Sequence, residues 1–397
     1  MTSFERHEMR YRRRKAAREA RRKERTKDAL DFDHVFTFVH MYNAARFCFR
    51  EVRWKSSVQN YKARCGINVA RKHRELRSGK VKFRKCPEFF IRERGHLRRI
   101  NSIHIEDRVP QKCNSYYSLK PVLHPTLIYD NYASQKNKGT SKARDRILCM
   151  LQRHIRRHGM TGGVLIFDFK QFFNSILHAL VRLTMERYYD DERIIEFNMQ
   201  VIRQCRELVG LILGSENSQD FAISTPSSLD HYITERLGVE AFGRFMDDGI
   251  VIDSYERLLM IQKAMTEFAA KLGFTLNEKK TRLLHFGQQF TILKRKYDFT
   301  PSGHIIVRPA RESVIRERRK LKKLTKKFLR GEIPFQTCAD SVTAWKASIA
   351  GTKCHKVVDS INKLFDRLLI EPWLAGEETK KPCITKSYQG VRLSMSA

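Results

Sequence analysis

The stretch Gly243-Arg-Phe-Met-Asp-Asp-Gly-Ile-Val-Ile252 places two adjacent carboxylates, Asp247 and Asp248, between an aromatic lead-in and a β-branched run. This order predicts a β-hairpin with acidic residues at its tip. Adjacent acids repel each other, so the pair makes most chemical sense when at least one of them binds a divalent cation. Asp-Asp-Gly is also ordinary turn chemistry, and taken alone the stretch favours a plain acidic turn between two strands.

A further acid lies upstream in a matching context, in Gly163-Val-Leu-Ile-Phe-Asp-Phe-Lys-Gln-Phe-Phe-Asn-Ser-Ile176. Its apolar run from Val164 to Phe167 is typical of a buried strand. Asp168 ends that run, where a carboxylate is costly unless it is paired or bound to metal. On neighbouring strands, Asp168 and Asp247 would both ligate a pair of Mg²⁺ ions, the arrangement by which polymerases activate a 3′-hydroxyl. The acids together indicate nucleotidyl transfer.

Motifs in this order and spacing resemble the palm motifs of reverse transcriptases. They are Phe167-Asp-Phe-Lys-Gln-Phe-Phe173, Leu213-Gly-Ser-Glu-Asn-Ser-Gln219, Phe245-Met-Asp-Asp248 and Leu276-Asn-Glu-Lys-Lys-Thr281. Several ordered motifs are specific together where each alone is weak. The likeness runs from about Phe83 to about Phe365. Within the family the chain is most similar to compact bacterial and prophage enzymes of the defence-associated and diversity-generating retroelement groups, which share the Gly-x-x-x-Ser-Gln form of the third motif.

The chain departs from the family pattern at two places. Phe245 stands where the family usually has Tyr, and Phe290-Thr-Ile-Leu-Lys294 replaces the Phe-Leu-Gly that is usual at the primer grip. Neither departure touches the expected metal ligands. The second leaves primer handling open.

The resemblance implies an α/β (α+β) fold, a right-hand polymerase with fingers, a palm built on an antiparallel sheet and a helical thumb. The expected divisions are 1–27 for a basic N-terminal arm, 28–160 for fingers with N-terminal helices, 161–307 for the palm, 308–373 for the thumb and 374–397 for a flexible tail. The implied enzyme is an RNA-directed DNA polymerase that uses two Mg²⁺ ions, for which Mn²⁺ could substitute. It would take dNTPs, copy a structured non-coding RNA into DNA, and serve antiphage defence in preference to diversity generation.

The resemblance also assigns roles to individual residues. The metal site falls on Asp168, Phe169, Asp247 and Asp248. Lys280 would act as the general acid that protonates the departing pyrophosphate, although a solvent-facing Lys279–Lys280 pair explains the sequence equally well. The residues expected around the incoming nucleotide are Arg98, Arg99, Lys136, Lys138, Phe173, Gln219 and Met246. Cations suit the triphosphate because arginine can bind phosphate bidentately.

Phe173 lies five residues after Asp168, at the position that in the family blocks a ribose 2′-hydroxyl. A bulky ring there would exclude ribonucleotides sterically, which favours DNA as the product. Phe172 beside it is expected to be ordinary core. Two alternatives stay open: an RNA polymerase, and an RNA-binding protein whose palm has lost catalysis.

Composition favours a polyanionic partner. The chain has 397 residues, with 78 Lys and Arg against 43 Asp and Glu, for a formal charge of +35. With 10% aromatic residues, this excess favours nucleic acid over a membrane. The nine cysteines show no metal-ligand spacing and are expected to be reduced and mostly buried. No apolar run approaches a membrane span and no secretory signal is present, so the expected location is the cytoplasm. A homo-oligomer or a partner protein is left open.

Local patterns give further expectations. The run 10–27 predicts a charged helix or a disordered arm, either solvated or ordered on RNA. A single amphipathic helix is expected from Asp31 onward, strands at 89–91 and 100–105, a helix at 107–123, a helix cap near Ser218, a helix at 256–272 and a strand at 273–277. A basic helix is expected at 308–330, and its proposed nucleic-acid contacts are Arg316, Arg319, Lys322, Lys323 and Lys326.

Overall fold

The computed structural model describes residues 2–50, 52–93, 96–204 and 208–371. The described residues form two compact units, one from within 2–150 and 162–283, the other from 151–161 and 284–371. The expected flexible tail, 374–397, lies outside the described residues. No helix in the described part of the chain is long and apolar enough to cross a lipid bilayer.

The fold mixes helices with antiparallel sheets, which confirms the predicted fold class. The helices are α1 Ser3–Arg25, α2 Lys27–Leu30, α3 Phe32–Val35, α4 Phe38–Cys48, α5 Ser56–Ala63, α6 Cys65–Arg77, α7 Ile105–Asn114, α8 Lys120–Leu123, α9 Thr140–His158, α10 Phe172–Ser175, α11 His178–Glu186, α12 Glu192–Arg203, α13 Glu216–Ser224, α14 Ser227–His231, α15 Tyr255–Lys271, α16 Arg311–Leu329, α17 Phe335–Ile349 and α18 His355–Phe365. The strands are β1 Glu88–Glu93, β2 His96–Asn101, β3 Gly163–Asp168, β4 Ala241–Phe245, β5 Asp248–Asp253, β6 Arg282–His285, β7 Phe290–Ile292, β8 Arg295–Phe299 and β9 Ile305–Pro309.

The central sheet has the strand order β4-β5-β3-β6. Every residue of β3 is buried, as the continuous apolar run of its sequence predicts for a strand covered on both faces. β4 and β5 form the predicted hairpin and pair in register from Phe245 opposite Asp248 to Ala241 opposite Ile252. The two-residue turn between them holds Met246 and Asp247. Both strand predictions are therefore confirmed.

Gly249 allows β3 and β5 to approach closely beside the acids. It lies opposite Phe167 in the register, and a Cβ atom added at Gly249 would lie 2.2 Å from the Phe167 ring. That ring is fully buried and packs against Phe169 and Phe242 at centroid distances of 5.6 and 6.3 Å. A shift of the Phe167 ring would therefore disturb its packing against these two rings.

We expect Gly249→Ala to lower the free energy of unfolding by about 1–3 kcal/mol through overpacking. Gly66→Ala is the matched control, because Gly66 lies in α6 with open space around it and is expected to be neutral or slightly stabilising. Urea unfolding of both variants measures the difference. Equal stabilities would mean that the Phe167 ring can rotate away.

The helix expected from Asp31 onward is two helices, and that prediction was wrong. α3 ends at Val35, and Thr37 caps a new helix by accepting a hydrogen bond from the His40 backbone. The break changes which residues face the core, so Val39 is 63% exposed. The break was not predicted because a threonine that caps a helix cannot be distinguished, from the sequence alone, from a threonine within a helix.

Two strand predictions also need correction. β2 ends at Asn101, and Ile105 begins α7, which His104 caps by accepting from the Glu106 backbone. The segment 273–277 is not a strand; Leu276 makes only an isolated bridge to Phe169. Ile105 in the first segment and Phe274 and Leu276 in the second are buried, which explains the strand-like apolar pattern of both segments. The predicted helices at 107–123 and 256–272 are present, the first continuing from α7 to α8 through a π-helical segment, Ser115–Leu119.

The second unit combines a three-stranded antiparallel sheet, β7-β8-β9, with α16, α17 and α18. Leu321, Trp345 and Ile361 lie in the apolar core that these helices share. The basic helix begins at Arg311, not at the predicted Arg308, because β9 runs to Pro309. Of the seven cysteines in the described part of the chain, all are free thiols and four are buried.

Candidate active site

The three candidate carboxylates meet at one end of the central sheet. Asp168, the last residue of β3, lies directly opposite Asp248, the first residue of β5. Asp247 is tied to the same end, because the Phe169 backbone N–H donates to the Asp247 carbonyl at 3.2 Å. Asp168 is buried, whereas Asp247 and Asp248 are partly exposed. The structure therefore brings together the acids that the sequence singled out.

Burial and mutual repulsion raise the proton affinity of two of these acids. Burial, followed by the neighbouring charges of Asp247 and Asp168, raises the pKa of Asp248 to about 7. Burial also raises the pKa of Asp247, with the Asp168 charge adding to the effect. A carboxylate is held in such a place at a cost to stability. Raised pKa values from burial beside like charges are typical of functional sites.

Asp168 makes direct hydrogen bonds to the segment 277–280. The Asn277 side chain donates to Asp168 Oδ1 at 3.1 Å, and the Lys280 ammonium donates to Asp168 Oδ2 at 2.7 Å. Burial tends to lower the pKa of Lys280, but the bond to Asp168 and the three acidic charges outweigh burial and raise it. Lys280 therefore lies beside the three acids, and its role as the general acid stays a prediction. Among the described residues, no three His, Cys, Asp or Glu side chains form a ready-made metal cage.

The hairpin turn is held by a buried ion pair that the sequence reasoning missed. Met246 has a φ of +56°, a left-handed conformation that is strained for a residue other than glycine. The Arg244 guanidinium donates to the Met246 carbonyl at 2.9 Å and to both carboxylate oxygens of Asp230 at 2.7 Å. It also donates to the Ile223 carbonyl at 2.8 Å. Arg244 thus connects the turn that carries Asp247 to α13 and α14.

Arg98 and Arg99 point to opposite faces of β2, because successive strand residues alternate. Arg98 lies close enough to Asp247 for its positive charge to oppose the rise that burial causes in the pKa of that acid. Arg99 instead forms an ion pair with Glu88 across the β1–β2 hairpin. Of the two, Arg98 is the one that the structure places toward the carboxylates.

Lys136, Lys138 and Gln219 lie around the loop before α9. Lys136 is exposed, whereas the Lys138 ammonium donates to the Asn131 and Tyr129 carbonyls at 2.8 and 2.9 Å. Burial lowers the pKa of Lys138. Gln219 is exposed on α13 and accepts a hydrogen bond from Ser134 of the same loop at 3.3 Å. The helix cap predicted near Ser218 is Ser215, which accepts from the Ser218 backbone, while Ser218 itself is buried.

The aromatic residues after Asp168 differ in exposure. Phe169 and Phe172 are buried, and their rings pack together with Phe274 at centroid distances of 5.2 to 5.8 Å. The Phe169 side chain is therefore core, so only its main chain is available to a metal. Phe173 is partly exposed and meets Phe172 edge-on at 5.8 Å. Of the two adjacent rings, Phe173 is the one left accessible.

The predicted nucleic-acid contacts of α16 share one exposed surface. Leu321 is buried against α17 and α18, which fixes the orientation of the helix. The exposed cations are Arg316, Arg319, Lys322, Lys323 and Lys326. Four of them follow the spacing i, i+3, i+7 and i+10, which is one side of a helix.

The sequence signals for the missed residues were present but ambiguous. Arg244 interrupts an apolar strand on the same side as Phe242, which points to a buried charge, but nothing marked Asp230 as its partner. Asn277 belongs to the motif Leu276-Asn-Glu-Lys-Lys-Thr281, but the resemblance assigned no role to it. Its side chain and its backbone N–H both bond to Asp168, the latter to the carbonyl at 2.7 Å.

Comparison with solved structures found low similarity to telomerases. The structure of telomerase from Candida albicans in complex with a TWJ fragment of telomeric RNA is 12% identical over 74% of this chain and 61% of that chain, with a TM-score of 0.44. Apo telomerase from Candida tropicalis, truncated from its C-terminal domain, is 15% identical over 56% of this chain and 55% of that one, with a TM-score of 0.41. The chain thus spans less than two thirds of either telomerase. Comparison with curated protein sequences gave no match.

The family model for reverse transcriptase (RNA-dependent DNA polymerase) matches residues 92–329. This range is more than half of the chain and includes all three carboxylates, Lys280 and the five cations of α16. The chain therefore belongs to the reverse transcriptase family, the RNA-dependent DNA polymerases.

Proposed function

We propose that Asp168, Asp247 and Asp248 are the catalytic carboxylates with which this reverse transcriptase extends DNA on an RNA template. One observation carries the assignment: Asp168 and Asp248 are distant in the sequence but pair in register at one end of the sheet. At the same end, the pKa values of Asp247 and Asp248 are raised. Lys280, which bonds Asp168, is the proposed proton donor to pyrophosphate.

The residues present fit a divalent-cation site, since a bound cation would offset both the burial and the mutual repulsion that raise the two pKa values. Reverse transcriptases use divalent metal ions. We assign Mg²⁺ to Asp168, Asp247, Asp248 and the main chain of Phe169. Bound cations would neutralise charge on the attacking and leaving oxygens. The protein's own part is to hold the acids together through strand pairing and through Arg244.

Around the incoming nucleotide, Arg98 would contact the triphosphate, because it already lies in electrostatic range of Asp247. Arg99, Lys136, Lys138, Gln219 and Met246 remain proposed pocket residues. The exposed cations of α16 would contact the template–primer backbone, where a row of positive charge favours phosphates.

The proposed template is a structured non-coding RNA, supported by the +35 formal charge. Antiphage defence by an enzyme of bacterial or prophage type, acting in the cytoplasm, is the favoured role on resemblance alone. The Gly-x-x-x-Ser-Gln motif supports diversity generation as the alternative. A silent RNA-binding protein with a polymerase-like palm is the alternative of another class.

The test is to purify the protein with its bound nucleic acid, add Mg²⁺ with labelled dNTPs or NTPs, and sequence the RNA and any product. DNA complementary to a discrete bound RNA, absent from Asp247→Ala, supports the proposal. Full incorporation by Asp247→Ala would disprove the assignment of the carboxylates. Bound RNA without product from either protein would favour the silent RNA-binding alternative.

We expect Phe173→Ala to reduce discrimination against ribonucleotides by roughly 10- to 100-fold, since a methyl group leaves space for a 2′-hydroxyl. Competing dNTPs and NTPs in single-nucleotide primer extension measure the ratio of kcat/KM values. The same experiment tests the RNA polymerase alternative, which requires efficient NTP use by the unmodified protein.

Phe172→Ala is the matched control, because that neighbouring ring is 4% exposed. It should lower stability by about 3–5 kcal/mol and leave sugar discrimination unchanged. If Phe173→Ala stays selective for DNA, another residue excludes ribonucleotides.

A further inference from the structure

A large basic cleft separates α1 from the rest of the first unit, and the carboxylate site lines no part of it. The cleft encloses a volume of about 1000 Å³. Of the described residues that line it, eight are arginines, two are glutamates and none is a lysine. Its other walls include Tyr188, Tyr232 and Phe268.

Contacts between described residues near both ends of α1 attach this helix to the unit. Near one end of the helix, the Tyr11 hydroxyl donates to Glu235 at 2.7 Å. Near the other end, the Lys23 ammonium binds Asp190 at 2.9 Å and the Arg22 guanidinium lies 5.0 Å from the Tyr188 ring centre. Lys23 lies twelve positions after Tyr11, which is about 18 Å along the helix. The cleft is the space along this span.

The side of α1 that lines the cleft carries guanidinium groups where a packed helix would carry apolar residues. Tyr11, Arg14, Arg18, Arg22 and Arg25 recur at helical spacing and all line the cleft. Arg14 and Arg18 are exposed. Hydrophobic burial therefore contributes little to holding this side of the helix, and the row of like charges repels itself. A bound polyanion would remove that repulsion.

We propose that this cleft binds the phosphate backbone of RNA, as a second RNA site apart from the polymerase centre. The described residues that line the cleft include arginines and no lysine. This favours phosphate as the ligand, because the planar guanidinium group binds two phosphate oxygens at once. The guanidinium groups of Arg22 and Arg187 lie 5.0 and 5.5 Å from the Tyr188 ring centre, so this ring helps to hold two of the cations in place. An interfacial membrane helix would need a broad apolar face of Trp, Phe or Leu, and the cleft side of α1 holds none. The inference rests on the RNA partner of the proposed function.

The test measures binding of a fluorescein-labelled 20-nucleotide oligo(U) by anisotropy over a series of salt concentrations. Arg14→Ala/Arg18→Ala removes two cations from the cleft and keeps helix propensity, since alanine is the best helix former. Arg6→Ala/Arg13→Ala is the matched control, because it removes the same charge from α1 at positions that do not line the cleft. Arg14→Lys/Arg18→Lys keeps the positive charge and removes the planar guanidinium groups that bind phosphate bidentately.

We expect the cleft alanine variant to bind at least about tenfold more weakly than the control, and its salt slope to fall by about 1.4 for two lost phosphate contacts. The lysine variant should lie between the wild type and the alanine variant. Equal affinity of the cleft and control alanine variants would overturn the proposal. Equal competition by poly-L-glutamate, matched for charge, would also overturn it in favour of an acidic-protein site.

Extension of oligo(dT) on poly(rA) with dTTP separates this inference from the proposed function. A cleft variant that loses oligo(U) affinity but extends the primer at the wild-type kcat supports both. If every variant extends the primer normally and keeps the wild-type affinity for oligo(U), the cleft proposal alone is disproved. If the wild-type protein extends no primer but the cleft variant still loses affinity for oligo(U), the catalytic proposal alone is disproved.

Discussion

Asp248→Asn is expected to lower the rate of DNA synthesis by at least about 100-fold while making the metal-free protein more stable at neutral pH. Activity should fall because one of three carboxylates loses the charge that would attract a cation. Stability should rise because the folded protein no longer confines a charged group beside Asp247 and Asp168. Opposite changes in the two properties are what a functional acid predicts.

The gain in stability should depend on pH in a defined direction. Burial and the neighbouring acids raise the pKa of Asp248 from its usual 3.8 to about 7 in the folded chain. The destabilisation by its charge is therefore complete above pH 7, shrinks as the pH falls through this range, and is absent below about pH 4. Thermal unfolding in EDTA should show the variant more stable than wild type at pH 8 and equal to it near pH 4.

Asp253→Asn is the matched control at the other end of β5. Asp253 pairs with Arg257 on the surface, so its replacement should leave DNA synthesis unchanged and remove a small stabilising contact. Mg²⁺ should raise the unfolding temperature of wild type and of Asp253→Asn, and raise that of Asp248→Asn much less. Wild-type synthesis by Asp248→Asn would exclude this acid from the catalytic site.

Arg244→Met is expected to lower the free energy of unfolding by about 3–5 kcal/mol and to abolish most DNA synthesis. The substitution leaves the fully buried Asp230 carboxylate without its cation. It also removes the donor to the Met246 carbonyl in the strained turn that precedes Asp247. Urea unfolding and primer extension at a temperature where the variant stays folded measure the two effects.

The double variant Arg244→Met/Asp230→Leu separates stability from positioning. Replacing both members of a buried ion pair by apolar residues is often close to neutral for stability. We therefore expect unfolding free energy to recover toward wild type while primer extension stays low, because the turn still lacks its hydrogen bond. Recovery of both properties would show that Arg244 serves stability alone.

The sequence was most informative where a strongly constrained local pattern carried the chemistry. The acids were predictable because Asp168 ends a wholly apolar strand and Asp247 precedes a β-branched run. Their meeting was predictable because such strands pair in one sheet. The resemblance then correctly indicated the family, which the match over residues 92–329 shows.

The failures occurred where a short polar side chain redirects the backbone. Thr37, His104 and Ser215 each cap a helix, and each shifted a boundary that apolar spacing alone placed elsewhere. Contacts between distant segments were beyond reach for a different reason. The pairing of Arg244 with Asp230 depends on how α14 packs beside β4, and no local pattern records that packing.

The register of the central sheet also constrains how the protein folds. Asp168 and Asp248 lie 80 residues apart in the sequence, yet they are direct partners between β3 and β5. Such a pairing requires a long loop to close, which lowers the chain entropy before any strand contact can offset that loss. Helices with local contacts form sooner than pairings of high contact order. The carboxylate cluster therefore arises late in folding, so refolding chains should regain helical circular dichroism before they regain polymerase activity.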